Sequence, residues 1–154
     1  EDFMRTLSEV EPRVKTAIEE IRVIAEELDR LENTRRSRVE EVKQQARLGV
    51  LRARDFDDRL RAVEAEYRRQ LAELRTRFIE ADRAIRDYFS RVYYPWLRLR
   101  REVHVVDQMA VEQRVANLYR KITAVRKLRE QLRQRLFGTP KGRGRFPARA
   151  SAGS

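Results

Sequence analysis

Apolar residues recur at alternating intervals of three and four along most of this chain, and charged residues fill the intervals. That spacing places the apolar side chains on one narrow stripe of a helix, as in the seam between coiled-coil helices. The first stripe predicts a helix over residues 8–32, because Pro12 is tolerated only in the first turn. Its apolar positions are Leu7, Val10, Val14, Ala17, Ile21, Ile24, Leu28 and Leu31.

A run without apolar residues, from Glu32 to Arg38, predicts a loop or a break in packing. A second stripe then predicts one long charged coiled-coil helix over residues 38–92, with local irregularities where two intervals of four residues follow each other. Acidic residues of this helix often precede arginines by four positions, which satisfies their charges locally. Seam positions are predicted at Leu60, Leu71, Leu74, Phe78 and Ile85.

An aromatic corner at residues 93–97 surrounds Pro95, where a helix is expected to stop or kink. In one architecture the chain reverses there, and residues 99–136 pack antiparallel on residues 55–92. In the other it forms a kinked rod, because the apolar stripe continues in frame after the proline. The aromatic residues either close the core of the hairpin or contact another protein, and the predicted protein contacts are Tyr93, Tyr94 and Trp96.

A last stripe, from Val111 to Leu136, predicts a basic C-terminal helix over residues 98–137 that stops at Gly138. Residues 138–154 lack an apolar period and predict a disordered basic tail. The predicted fold class is therefore all-α. It is an elongated coiled coil, in which the long helix and the basic C-terminal helix form an antiparallel hairpin or a kinked rod, followed by a disordered C-terminal tail.

The net charge of +11 lies entirely in the last 41 residues. Residues 1–113 hold 24 basic and 24 acidic residues, whereas residues 114–154 hold 12 basic residues and one acid, Glu130. Such a basic block favours an acidic partner, unless it pairs with the first 34 residues, where ten acids face five bases. Predicted polyanion contacts are Arg114, Arg120, Lys121, Arg126, Lys127, Arg129, Arg133, Arg135, Lys141, Arg143, Arg145 and Arg149.

These patterns predict a non-enzymatic scaffold that joins itself or other coiled-coil subunits and docks through its basic end on an acidic polymer. DNA, RNA and the microtubule surface all qualify, and kinetochore-like or cytoskeletal assemblies suit such a rod. One alternative is an adaptor whose basic face binds acidic protein partners. Another is a regulatory module whose basic amphipathic helix, residues 111–137, binds an anionic membrane or calmodulin.

Catalytic chemistry finds no support among the residues. Cysteine is absent, which excludes disulfides and thiolate catalysis, and His104 is the only histidine. No enzyme activity, metal, cofactor or small-molecule substrate is expected. The longest apolar stretch is far too short to span a membrane, so an intracellular location in cytoplasm, nucleus or an organelle matrix is expected. Because the chain begins with Glu1, we expect a fragment or a processed form.

Overall fold

Helices account for every regular element of this protein in the computed structural model, which describes residues 2–102 and 105–138. The all-α prediction is confirmed. The elements in chain order are α1 (Asp2–Arg47), α2 (Ala53–Tyr88), a π-helical turn (Phe89–Tyr93), α3 (Tyr94–Leu99), a 3₁₀ turn (Arg100–Glu102), α4 (Val105–Ala124) and α5 (Arg126–Phe137).

Helices α1 and α2 lie antiparallel, and ion pairs join them near both ends. Arg91, in the middle of the π-helical turn that follows α2, lies 2.9 Å from Glu9. Arg35, far along α1, lies 3.0 Å from Glu64 and stacks its guanidinium over the ring of Tyr67. The two helices therefore keep one register along most of their shared length.

Helices α4 and α5 run back along α2, so that they lie antiparallel to α2 and parallel to α1. The Tyr88 hydroxyl donates to the carbonyl of Val115 in α4 at 2.7 Å. Further along, Arg75 Nε donates to the carbonyl of Leu136 in the last turn of α5. Because α5 ends there, the distal parts of α1 and α2 continue beyond it as two helices in the part of the chain that the structure describes.

The core lies where the three apolar stripes meet. Val42 is the only buried apolar residue of the described part that lies outside this core cluster. Of the seam positions named from the sequence, Leu60 is half-buried. The others are buried, namely Leu7, Val10, Val14, Ile21, Ile24, Leu28, Leu31, Leu71, Leu74, Phe78 and Ile85.

The path of α1 differs from the prediction at two places. The helix begins at Asp2 and contains Pro12, because burial of Leu7 and stacking of Phe3 on Trp96 stabilise the turns before the proline. It also continues without a break through residues 32–38, where the sequence predicted a loop. That run contains no glycine or proline, so its cost in helix propensity is small.

The break falls instead at Gly49, which has a φ of 75°. The amide of Val50 donates to the carbonyl of Gln45, and the amide of Gly49 donates to that of Ala46, both near 3 Å. These two bonds form a Schellman motif, which favours glycine at the left-handed position. Gly49 is the only glycine before residue 138, and this signal was overlooked in the sequence.

Pro95 does not end the helical path. The π-helical turn Phe89–Tyr93 carries α2 directly into α3, and the proline lies in the first turn of α3, where helices tolerate it. Tyr88, Val92 and Trp96 follow each other at intervals of four, which an α-helix of 3.6 residues per turn would spread around its surface. The wider π-helical turn takes up the extra residues and keeps all three side chains buried.

Candidate polyanion-binding surface

Some arginines of α4 and α5 face α1 and pair with its carboxylates. Arg114 donates to Glu11 at 2.6 Å. Arg135 lies 2.9 Å from both Asp29 and Glu32. Two of the predicted polyanion contacts, Arg114 and Arg135, therefore hold α4 and α5 against the acidic helix α1.

A second set of pairs surrounds Asp82, the one buried charged residue in the described ranges, at 5% exposure. Arg129 and Arg133 of α5 contact the same carboxylate oxygen at 2.6 and 2.9 Å. Arg86 contacts the other oxygen at 3.0 Å, and Glu130 also pairs with Arg133. Because a buried carboxylate is costly without partners, these arginines stabilise the packing of α5 on α2. The cluster still has more positive than negative charges.

The remaining basic residues of the last helices lie on the outside. Arg120, Lys121, Arg126 and Lys127 are exposed, and none forms a salt bridge within residues 2–102 and 105–138. We call these four side chains the basic patch. They lie on both sides of Val125, where the chain leaves helical geometry for one residue between α4 and α5.

Along the helix axis the basic patch covers about two turns. Seven residues of helix measure roughly 10 Å, close to the distance of about 8 Å over which physiological salt screens a charge. An acidic ligand at this surface therefore meets the summed potential of several cations. The paired arginines of the inner side contribute less, because carboxylates neutralise them.

Beside the basic patch lies an open groove with aromatic and cationic walls, which we call the aromatic groove. The rings of Tyr93 and Tyr119 stack there with centroids 4.9 Å apart. Tyr94 is 52% exposed and Tyr119 is 40% exposed, although large aromatic side chains are usually buried. The walls are Phe89, Tyr93, Tyr94 and Tyr119 on the aromatic side and Arg126, Arg129 and Arg133 on the cationic side, where Glu130 also lines the groove and pairs with Arg133.

The structure separates the three residues predicted as protein contacts. Trp96 is 1% exposed, stacks on Phe3 and donates its indole N–H to Glu112, so it belongs to the core. Tyr93 is half-buried behind Tyr94, which is the exposed member of the three. The aromatic corner thus contributes to packing on one side and to a surface on the other.

Tyr88 connects the aromatic groove to the core. Its side chain is buried, and its hydroxyl donates to the carbonyl of Val115. Burial raises the pKa of this phenol well above its usual range, and the nearby Tyr93, Tyr119 and Glu112 act in the same direction. The hydroxyl therefore stays protonated as a hydrogen-bond donor throughout the neutral pH range.

Tyr119 is the member of the aromatic groove that sequence reasoning missed. It follows Leu118 of the seam directly, so helical geometry places it beside the seam rather than in it. A residue in that position contacts whatever flanks the seam on the neighbouring antiparallel helix. Here that neighbour is Tyr93. The signal was an aromatic residue adjacent to a core position, which becomes informative only when the register of the two helices is given.

Some predicted site residues lie outside the described residues. These are the tail cations Lys141, Arg143, Arg145 and Arg149, and the single histidine, His104, falls outside as well. Within the described part of the chain, no group of three His, Cys, Asp or Glu residues is arranged to hold a metal ion. The described helices include none that could span a lipid bilayer.

Comparison with known proteins adds no assignment, because no protein family, no curated protein and no solved structure matches this chain.

Proposed function

We propose that this protein is a non-enzymatic helical scaffold that docks on an acidic polymer through the outer face of its C-terminal helices. The observation that carries the proposal is the basic patch, Arg120, Lys121, Arg126 and Lys127, whose members have no ion-pair partner among the described residues. Exposed cations that meet no carboxylate in their own fold retain their full potential for an outside polyanion. The cations of residues 139–154 extend the same charge.

The contrast with the rest of the chain supports this assignment. Several exposed arginines of α2 pair with acids, as Arg61 does with Asp58 and Arg69 with Glu66 and Glu73, although Arg54 and Arg83 form no salt bridge among the described residues. Residues 1–113 as a whole hold equal numbers of acidic and basic residues. The net positive charge therefore belongs to the last part of the chain, from Arg114 onward.

The proposal includes assembly with a second copy or with other coiled-coil subunits. Beyond the end of α5, Leu60 and Val63 are half-buried seam residues, and among the described helices α1 alone lies beside them. A helix from another chain would cover them, as α4 and α5 cover the seam nearer the bundle. The scaffold would then carry polymer-binding surface at one end and partner helices at the other.

A salt titration tests the docking surface. We would measure binding of the full chain to duplex DNA, single-stranded RNA and microtubules, and compare a variant in which Arg120, Lys121, Arg126 and Lys127 are replaced by Gln. The variant should bind at least about tenfold more weakly. Its log-log salt slope on DNA should also be shallower, by about one unit for each lost phosphate contact. Sedimentation of the same samples reports whether the chain binds alone or assembled.

The matched control removes the same charge elsewhere, through Gln at Arg52, Arg54, Arg61 and Arg68, all of them exposed. This variant should keep most of the affinity. Equal losses in the two variants would mean that net charge alone governs binding, and the basic patch would lose its role. If no polymer binds the full chain, an acidic protein partner replaces the proposal. A further chain ending at Gly138 measures what residues 139–154 add.

A chain truncated within α4 cannot show whether the C-terminal helices bind a polymer. A chain that ends at Gln113 loses Leu118, Leu132 and Leu136, each of which is fully buried against α1 and α2. Such a chain would expose its core, and its loss of binding would report misfolding.

A further inference from the structure

Resting on the proposed function, we infer that the polymer bound at this surface is single-stranded nucleic acid, with bases stacked on the aromatic groove and phosphates held by neighbouring cations. The groove and the basic patch share Arg126, so one ligand can contact both. The inference concerns which acidic polymer fits, whereas the proposed function requires only an acidic one.

The exposed aromatic rings are the first step of the argument. Tyr94 and Tyr119 leave 52% and 40% of their surfaces to solvent beside a fold that buries Tyr88 and Trp96 completely or nearly so. Water contact with a large aromatic surface is unfavourable, and a planar ligand that covers it gains that free energy. Nucleobases are planar and stack on any aromatic ring, at about 1 to 3 kcal/mol per base.

The rings are also held in a fixed arrangement. Tyr93 stacks on Tyr119 across the two helices, and Phe89 lies edge-on to both, at 5.6 Å and 6.2 Å between ring centroids. Tyr94 in turn lies edge-on to Tyr93 at 5.3 Å. A base therefore meets a platform that is already ordered, which reduces the entropy lost on binding.

The cationic wall is the second step. Arg126 has no acidic partner in the described part of the chain, whereas Arg129 and Arg133 hold the buried Asp82, and Arg133 also pairs with Glu130 of the groove. The planar guanidinium group of Arg126 is therefore available to bind phosphate oxygens with two parallel hydrogen bonds. The groove thus pairs aromatic faces on one wall with a phosphate-binding arginine on the other.

The two walls together distinguish among acidic polymers. A DNA duplex presents phosphates, but its bases are already stacked inside the helix and cannot reach Tyr94. A microtubule surface presents carboxylates and no bases. Single-stranded nucleic acid is the acidic polymer that uses both walls, and its binding by stacking carries little sequence preference.

The test compares a short single-stranded oligonucleotide with an abasic strand of the same length and charge, using fluorescence anisotropy on the full chain. The base-bearing strand should bind about tenfold or more tightly than the abasic strand, the effect of one to two stacked bases. Tyr94→Ala should lower affinity for the base-bearing strand by about tenfold and leave affinity for the abasic strand unchanged.

Tyr94→Phe is the matched control, because it keeps the ring and removes only the hydroxyl, and it should bind as the native chain does. Tyr94 is exposed, so thermal unfolding of both variants should match that of the native chain, which separates a binding defect from misfolding.

Three results would overturn the inference while leaving the proposed function in place. They are equal affinity for abasic and base-bearing strands, no effect of Tyr94→Ala, and tighter binding to duplex DNA or microtubules than to the single strand. Absence of binding to every polyanion would instead remove the proposed function itself.

Discussion

On the inner side of α4 and α5, arginines hold carboxylates of α1 and α2, whereas on the outer side arginines and lysines a few positions away have no such partner among residues 2–102 and 105–138. Arg133 pairs with Asp82 and Glu130, while Lys127, less than two turns earlier, points into solvent. Both residues count equally in the net charge. The comparison teaches that position relative to the seam decides whether a cation stabilises the fold or remains available to a ligand.

The largest expected effect comes from removing the buried carboxylate of the inner side. Asp82→Ala leaves Arg86, Arg129 and Arg133 without their common partner at the interface of α2 and α5. We expect the free energy of unfolding to fall by about 2 kcal/mol. This is less than for a fully buried pair, because the arginine ends can turn toward water. Urea unfolding followed by circular dichroism measures it.

Glu73→Ala is the control for that change. Glu73 pairs with Arg69 on an exposed surface of α2, and its removal should change stability by less than about 0.5 kcal/mol. Equal destabilisation by the two variants would show that burial of Asp82 contributes nothing, and the distinction between inner and outer sides would fail.

A smaller effect is expected for Tyr88→Phe, which removes the hydroxyl bonded to Val115. Loss of this hydrogen bond should cost about 1 kcal/mol near neutral pH. The pH dependence is more specific. Burial raises the pKa of Tyr88, so the folded state holds the phenolic proton more tightly than the unfolded state does. The stability from this group is therefore complete below about pH 10 and decreases as the pH rises further.

Unfolding by urea near pH 8 and near pH 11 checks this prediction. The native chain should lose more stability between the two conditions than Tyr88→Phe does, because the variant has no phenol at this position to ionise. An equal loss in both proteins would contradict a buried, proton-retaining hydroxyl.

The smallest effect compares one cation from each side. Arg135→Gln breaks contacts with Asp29 and Glu32 that are largely exposed to solvent, and should lower the free energy of unfolding by about 0.5 kcal/mol. Lys127→Gln should leave stability unchanged and weaken polyanion binding. Thermal unfolding and a binding titration on both variants distinguish the two roles. Weaker polyanion binding in both variants would mean that inner and outer cations bind the polymer alike, which contradicts the distinction between the two sides.

The sequence alone predicted the helical fold and the seam, because burial follows the spacing of apolar residues directly. Leu7, Ile24 and Phe78 were named from their intervals, and all are buried. The turn between the first two helices was predicted at residues 32–38, because a run of charged and polar residues was taken as a stronger sign of a break than a single glycine. The polar run before Arg38 continues the helix, whereas a single glycine, Gly49, ends it.

The site was harder to predict, since it depends on the register between helices. Heptad spacing identifies which residues face a partner helix but not which residue of that partner lies opposite. The spacing of four residues identifies the pair of Asp82 and Arg86 within α2, whereas the contacts of Asp82 with Arg129 and Arg133 depend on where α5 packs. The same holds for the stacking of Tyr93 on Tyr119, which joins residues distant in sequence.

The π-helical turn Phe89–Tyr93 makes the number of residues between Tyr88 and Trp96 a constraint in its own right. Its wider turn holds one residue more than an α-helical turn does. Deleting one residue there would restore ordinary helix geometry and leave the helix beyond it in nearly the same rotation, with Trp96 still facing Phe3. A further deletion would rotate everything beyond it by about 100° and take Tyr94 out of the groove. Related chains should therefore differ in this segment by that one residue more readily than by any other change in length.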